Sequence, residues 1–223
     1  MKRLLCLLIV SALLCTTVVI SCAEWNNPFK DVDESCWYFN AVNKAVESGI
    51  FSGISEDRFD PDAIMTRAMF VTVLGRAHNA ELSRWVETPF WDVAEGTWYG
   101  PYVDWAYTRG ITSGVAEFHF GVNEPVTREQ MVTLLYRSAK THGYDVSINE
   151  YKKYESIYDI GEVSFWARDA LCWAVQNGII SGKDVIETKL VFAPKENASR
   201  AQVAQLFNEY LEYLESPANI VKT

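Results

Sequence analysis

The feature that most constrains this chain is a pattern that returns three times. The first copy opens at Phe29-Lys30-Asp31-Val32 and carries Trp37; twelve residues later stands Gly49-Ile50-Phe51-Ser52-Gly53, followed by Phe59 and Thr66-Arg67. The second opens at Phe90-Trp91-Asp92-Val93, carries Trp98, and repeats the same spacing through Gly110-Ile111-Thr112-Ser113-Gly114, Phe120 and Thr127-Arg128. The third runs from Ile157-Tyr158-Asp159-Ile160 and Trp166 through Gly178-Ile179-Ile180-Ser181-Gly182 to Phe192 and Ser199-Arg200, with four extra residues before Phe192. A repeat of this length is one supersecondary unit too small to bury its own apolar face, so neighbouring units must share a core. The units span residues 28–77, 89–138 and 155–213, with linkers between them and a polar tail at 214–223 that is expected to fray.

Within each unit the apolar spacing predicts two helices. The first runs from about Trp37 to Ser48, with Tyr38, Ala41, Val42, Ala45 and Val46 on one face. Tyr99, Tyr102, Val103, Ala106 and Tyr107 repeat that face in the second unit, and Ala167, Ala170, Leu171, Ala174 and Val175 in the third. Gly49, Gly110 and Gly178 then close the helix, because glycine takes the left-handed conformation without strain and the Ile after it packs back on the last turn. The second helix starts at Thr66, Thr127 or Ser199, whose hydroxyl caps it. Gln130 and Gln202 stand where a capping box needs them, whereas Met69 leaves the first box incomplete. The fold class is all-α: helix-loop-helix units, with a small hairpin possible in the longer third loop at Lys183 to Val191.

The combination of Asp-Val, Trp, Gly-Ile-x-Ser-Gly, Phe and Thr-Arg closely resembles the S-layer homology family, and the resemblance covers nearly all of the chain beyond its N-terminus. It implies a pseudo-threefold, three-pronged spindle around a central helical bundle. It also implies a function: non-covalent anchoring to a secondary cell-wall polysaccharide, often pyruvylated, held in grooves between repeats. The family motif ends in Glu; here Met69, Gln130 and Gln202 occupy that position, which weakens the expectation for the groove using Met69.

A pyruvyl ketal is a fixed carboxylate, and Arg67, Arg128 and Arg200 offer planar forks that match it. Each lies in the first turn of a helix, where free backbone N–H groups also favour an anion. Gly53, Gly114 and Gly182 would let a sugar approach the backbone. Trp37, Trp98 and Trp166 would give it a flat face. Asp31, Asp92 and Asp159 would accept from its hydroxyls. Plainer readings stand beside these: arginines paired with the Asp residues, Asp residues as helix caps, glycines serving turn geometry alone, and tryptophans in the core.

The N-terminus reads as a leader. Lys2 and Arg3 precede an apolar run from Leu4 to Ile20, and Ser21-Cys22-Ala23 offers small residues for cleavage. A retained membrane anchor is the rival reading. Val19-Ile20-Ser21-Cys22 also resembles a lipobox, with Cys22 the residue that would be lipidated. Loss of residues 1–23 leaves 18 basic against 29 acidic side chains, a charge of -11. Such a chain is no general nucleic-acid binder, and it grips an acidic polymer only through locally placed cations. Cys36 and Cys172 either pair or serve as small hydrophobes. His78, His119 and His142 lack metal-ligand spacing, so neither catalysis nor a metal or cofactor is expected. Two alternatives to plain anchoring remain: an exported scaffold for other surface proteins, and a lipoprotein stapling membrane to wall.

Overall fold

The computed structural model describes residues 26–82, 87–149, 154–182, 184–186 and 188–221. The leader, with Cys22, lies outside the described residues. Six α-helices and one two-stranded hairpin are found among them: α1 (Phe39–Glu47), α2 (Arg67–Ala77), α3 (Gly100–Thr108), α4 (Arg128–Thr141), α5 (Arg168–Gln176), β1 (Asp184–Ile186), β2 (Lys189–Val191) and α6 (Arg200–Glu215). Among the described residues the fold is all-α apart from that hairpin, which lies in the longer third loop. No described helix is long and apolar enough to cross a membrane.

The helix ends follow the repeat. Gly49, Gly110 and Gly178 all sit at positive φ (75°, 69° and 69°), and the Ile after each is buried. Thr66, Thr127 and Ser199 accept hydrogen bonds from the amides of Met69, Gln130 and Gln202; only the last two complete the reciprocal box. The start of the first helix is a correction. Trp37 is not helical, because the Phe39 amide already closes a turn onto the Cys36 carbonyl at 3.0 Å and α1 begins there. In the third unit Trp166 lies in a 3-10 turn, Phe165–Ala167, ahead of α5.

Helices pair between units rather than within them. α3 of the second unit packs on α2 of the first, α5 on α4, and α1 of the first unit on α6 of the third. This closes the chain into a ring of three. Around the central α2, α4 and α6 the core holds fully buried Phe70, Leu74, Met131, Leu135, Phe207 and Tyr210. Burial of side chains of this size contributes roughly 1.5–3 kcal/mol each. The ring is sealed by backbone: the Met65 amide donates to the Ala198 carbonyl (2.9 Å), Val126 to Met65 (3.0 Å) and Ala198 to Val126 (3.2 Å). All three residues are fully buried. The described part of the tail, to Val221, does not fray. α6 continues to Glu215, and residues beyond it return to the segment after α4, where Asp145 donates to the Asn219 carbonyl and Val221 to that of Gly143. Cys36 and Cys172 are free thiols, the latter buried in α5.

Candidate functional site

Each motif arginine reaches across to the next unit. Arg67 donates its Nε to the Phe120 carbonyl at 2.9 Å, Arg128 to that of Phe192 at 2.7 Å, and Arg200 to that of Phe59 at 2.7 Å. Arg128 and Arg200 each make a second such bond, to the carbonyls of Ser181 (3.3 Å) and Ser52 (2.8 Å). Each guanidinium also lies over the ring of the phenylalanine it bonds, 4.5 to 5.3 Å from the centroid. The arginines are only 3, 6 and 7 % exposed. Burial pushes their pKa values below the usual guanidinium range. Glu124 and Asp92 oppose that shift at Arg67, Glu196 and Asp159 at Arg128, and Asp60 and Asp31 at Arg200. All three arginines therefore have a structural task beside any ligand they hold.

The Asp residues complete the same joint from the other side. Asp31 accepts from the amides of Phe59 and Asp60 at 2.9 and 2.7 Å. Asp92 accepts from Phe120, Gly121 and Val122, and Asp159 from Phe192 and Ala193. One Phe residue thus serves both charges, its N–H held by the Asp of its own unit and its C=O by the Arg of the preceding unit. Burial raises the Asp31 and Asp92 carboxyls, but their amide bonds outweigh it and hold both below the ordinary range. None of the three Asp side chains makes a helix-capping bond among the described residues; their oxygens accept from loop amides, with His119 also 3.4 Å from Asp92 and Arg58 4.0 Å from Asp31.

The expectation of free N–H groups at the helix starts is corrected. The Arg67 and Ala68 amides donate to the carbonyls of Glu124 and Val122, those of Arg128 and Glu129 to Glu196 and Pro194, and those of Arg200 and Ala201 to Ala63 and Pro61. The sequence hid this because the acceptors come from another repeat. The second glycines also have an internal reason. A Cβ at Gly53 would stand 2.5 Å from the Phe29 ring, at Gly114 2.5 Å from the His119 carbonyl, and at Gly182 2.8 Å from Leu190.

The tryptophans are not core. Trp37, Trp98 and Trp166 are 64, 58 and 50 % exposed, and two of them border grooves. One groove, about 280 Å³, brings together Arg67 of the first unit, Gly114, Gln130 and Arg137 of the second, and Trp166 of the third. A larger one, about 530 Å³, brings together Arg128 of the second unit, Gly182, Gln202 and Glu209 of the third, and Trp37 of the first. Both follow one rule: arginine from one unit, loop and second helix from the next, tryptophan from the one after. At Arg200 the arrangement starts the same way, with the Ser52 carbonyl beside Gly53 in its grip. Arg137 and Glu209 were missed in the sequence, although each stands nine residues beyond its motif arginine.

The family model described as "S-layer homology domain" matches residues 28–69, 89–132 and 156–204, more than half of the chain. The chain belongs to the S-layer homology family. Among curated proteins it is similar to an amylopullulanase of Thermoanaerobacterium thermosulfurigenes, 28% identical over 85% of this chain and 10% of that protein. It also resembles the surface-layer 125 kDa protein of Lysinibacillus sphaericus, 25% identical over 95% of this chain and 17% of that one. A third relative is the cellulosome-anchoring protein of Acetivibrio thermocellus, 28% identical over 62% of this chain and 30% of that one. The S-layer homology chain thus spans between a tenth and a third of these relatives.

Proposed function

We propose that this chain attaches non-covalently to the bacterial cell wall by binding an anionic secondary wall polysaccharide in the grooves between its repeats. The observation that carries the reading is the groove at Arg67. There two arginines, the Gln130 side chain and an exposed indole converge from three units on one cavity. Arg137 is half-buried and Trp166 half-exposed, so both remain reachable. A carboxylate on a sugar, such as a pyruvyl ketal, suits this set: guanidinium for the charge, indole face for the ring. Membership in a family shared with surface-layer and cellulosome-anchoring proteins supports a place at the cell surface.

Because the motif arginines also join the units, replacing them confounds binding with folding. The test therefore uses Arg137→Ala combined with Trp166→Ala. Purified protein lacking the leader is sedimented with peptidoglycan that carries the secondary polymer and with peptidoglycan stripped of it. The expected result is sedimentation only with polymer-bearing wall, weakened about tenfold or more in the double variant, a loss of roughly 1.4 kcal/mol. Equal sedimentation with stripped wall would move the function to protein partners.

A further inference from the structure

The grooves are built alike but charged differently. Nine residues beyond the motif arginine stand Arg76 in the first unit, Arg137 in the second and Glu209 in the third. Arg76 and Arg137 donate Nη1 to the carbonyls of Ile50 and Ile111, the residues after the helix-closing glycines. Ile179 holds that place in the third unit, and a glutamate cannot donate to it. Glu209 and Ile179 line the same cavity as Arg128 and Trp37. Where the Arg67 groove presents a second guanidinium, this one presents a carboxylate, in a cavity that Ile179 also lines.

A second exchange holds that carboxylate in place. Gln205 donates Nε2 to Glu209 Oε1 at 2.7 Å. Its counterparts, Thr72 and Thr133, bond back to their own helix at the Ala68 and Glu129 carbonyls. No described cation lies within ion-pair distance of Glu209, whereas Lys195 and Lys44 are paired with Glu129 and Glu212.

We infer that the Arg128 groove takes a sugar residue bearing a free amine, with its ammonium at Glu209 and the Ile179 carbonyl. The inference rests on the wall-polysaccharide reading and deepens it: the Arg67 groove selects a carboxylate-bearing residue, the Arg128 groove an amine-bearing one. A hard divalent ion is disfavoured, because one carboxylate and neutral carbonyls do not supply the oxygen ligands it needs. An ammonium on a pyranose suits the set, since Trp37 offers a ring face that attracts both the cation and the sugar's apolar side. At about 530 Å³ the cavity falls within the range of small-molecule sites.

The test uses the secondary polymer released from the producing bacterium's wall, before and after treatment with acetic anhydride, which caps free amines. Binding to the leader-free protein is followed by titration calorimetry, with thermal unfolding as the check on folding. Acetylation is expected to weaken wild-type binding about tenfold. Glu209→Arg should bind untreated polymer about tenfold more weakly and no longer respond to acetylation, and Glu209→Gln should fall in the same direction. Unchanged or tighter binding by Glu209→Arg, or indifference of wild type to acetylation, overturns the inference while leaving anchoring intact. A response to acetylation of stripped peptidoglycan but not of the polymer would assign the amine to a peptide and also overturn it. No binding of wild type to untreated polymer would instead reject the wall-polysaccharide reading itself.

Discussion

At the N-terminal ends of α2, α4 and α6 the same contacts are made three times over, whereas at the opposite ends the three helices part company. The first end is built on backbone groups: the amide-to-carbonyl ring of Met65, Val126 and Ala198, then the three Phe carbonyls that accept from the arginine side chains. At the other end α2 and α4 stop at His78 and His142, while α6 runs on to Glu215. There the two imidazoles stack 4.0 Å apart, and the Tyr210 hydroxyl lies 2.9 Å from His78 Nε2. Trp105 lies beside both imidazoles, and Trp173 packs edge-on to Tyr210. Backbone hydrogen bonds repeat wherever the chain path repeats. Side chains meeting near the middle of the bundle compete for one space, and here Tyr210 of the third unit fills it.

Breaking the symmetric end should have the largest effect. Arg200→Ala leaves the carbonyls of Phe59 and Ser52 without their charged donor and opens the joint between the third and first units. The expected loss is roughly 3–5 kcal/mol, read as a shift in the denaturant midpoint. Arg67→Ala should cost less, because among the described bonds Arg67 reaches one carbonyl rather than two. Equal losses for the two variants would show that the second bond, to the Ser52 carbonyl, adds nothing to the joint.

The other end should answer to acid. Burial, with His142 adding to it, pushes the His78 pKa from 6.5 down to about 3. The unfolded chain takes that proton near pH 6.5 and the folded chain only near pH 3, so this stability is present above pH 6.5 and drains as pH falls. Between pH 6.5 and 4.5 the loss from this one group should be roughly 2–3 kcal/mol. The lowered Asp31 and Asp92 act in the same direction but in a lower window, below their ordinary 3.8. Unfolding curves at pH 7 and 4.5 for wild type and His78→Phe check this. If the slope survives the substitution, the titrating group lies elsewhere.

The two ends also differ in how legible they were. The Thr-Arg and Gly-Ile-x-Ser-Gly motifs mark the threefold end directly, so the caps of α2, α4 and α6 and the closing glycines fall where the spacing puts them. Trp37 does not fit that pattern, because the turn from Cys36 to Phe39 precedes α1. The partner of each first helix was hidden as well: periodicity tells which face is buried, not that α1 lies on α6 from the far end of the chain. His78 looked like a linker residue because its partners, Trp105, His142 and Tyr210, come from other units, and His142 because the ring it stacks on is His78 of the first unit. Of the candidate site, the motif arginines and the tryptophans were visible as types. The Arg–Phe–Asp joint and the reversed charge at Glu209 needed the register of one repeat against the next.

The smallest expected effect sharpens the symmetry of the first end. Thr127 and Ser199 exchange two bonds with Gln130 and Gln202, whereas Thr66 only accepts from the Met69 amide. Met69 is half-buried, and the two glutamines at the same register show that a side chain there can reach back to the cap. Met69→Gln should therefore supply the missing bond to the Thr66 amide and stabilise the chain by about 0.5 kcal/mol, within the modest net worth of one partly exposed hydrogen bond. Gln130→Met should cost a similar amount, since it turns the second unit's box into the first unit's. Opposite and nearly equal shifts in unfolding midpoint would mean that the units are interchangeable at their helix starts. A loss from Met69→Gln would mean instead that Met69 contributes packing at its own site, where it lies against the shared core, and that the first unit departs from the others for a reason of its own.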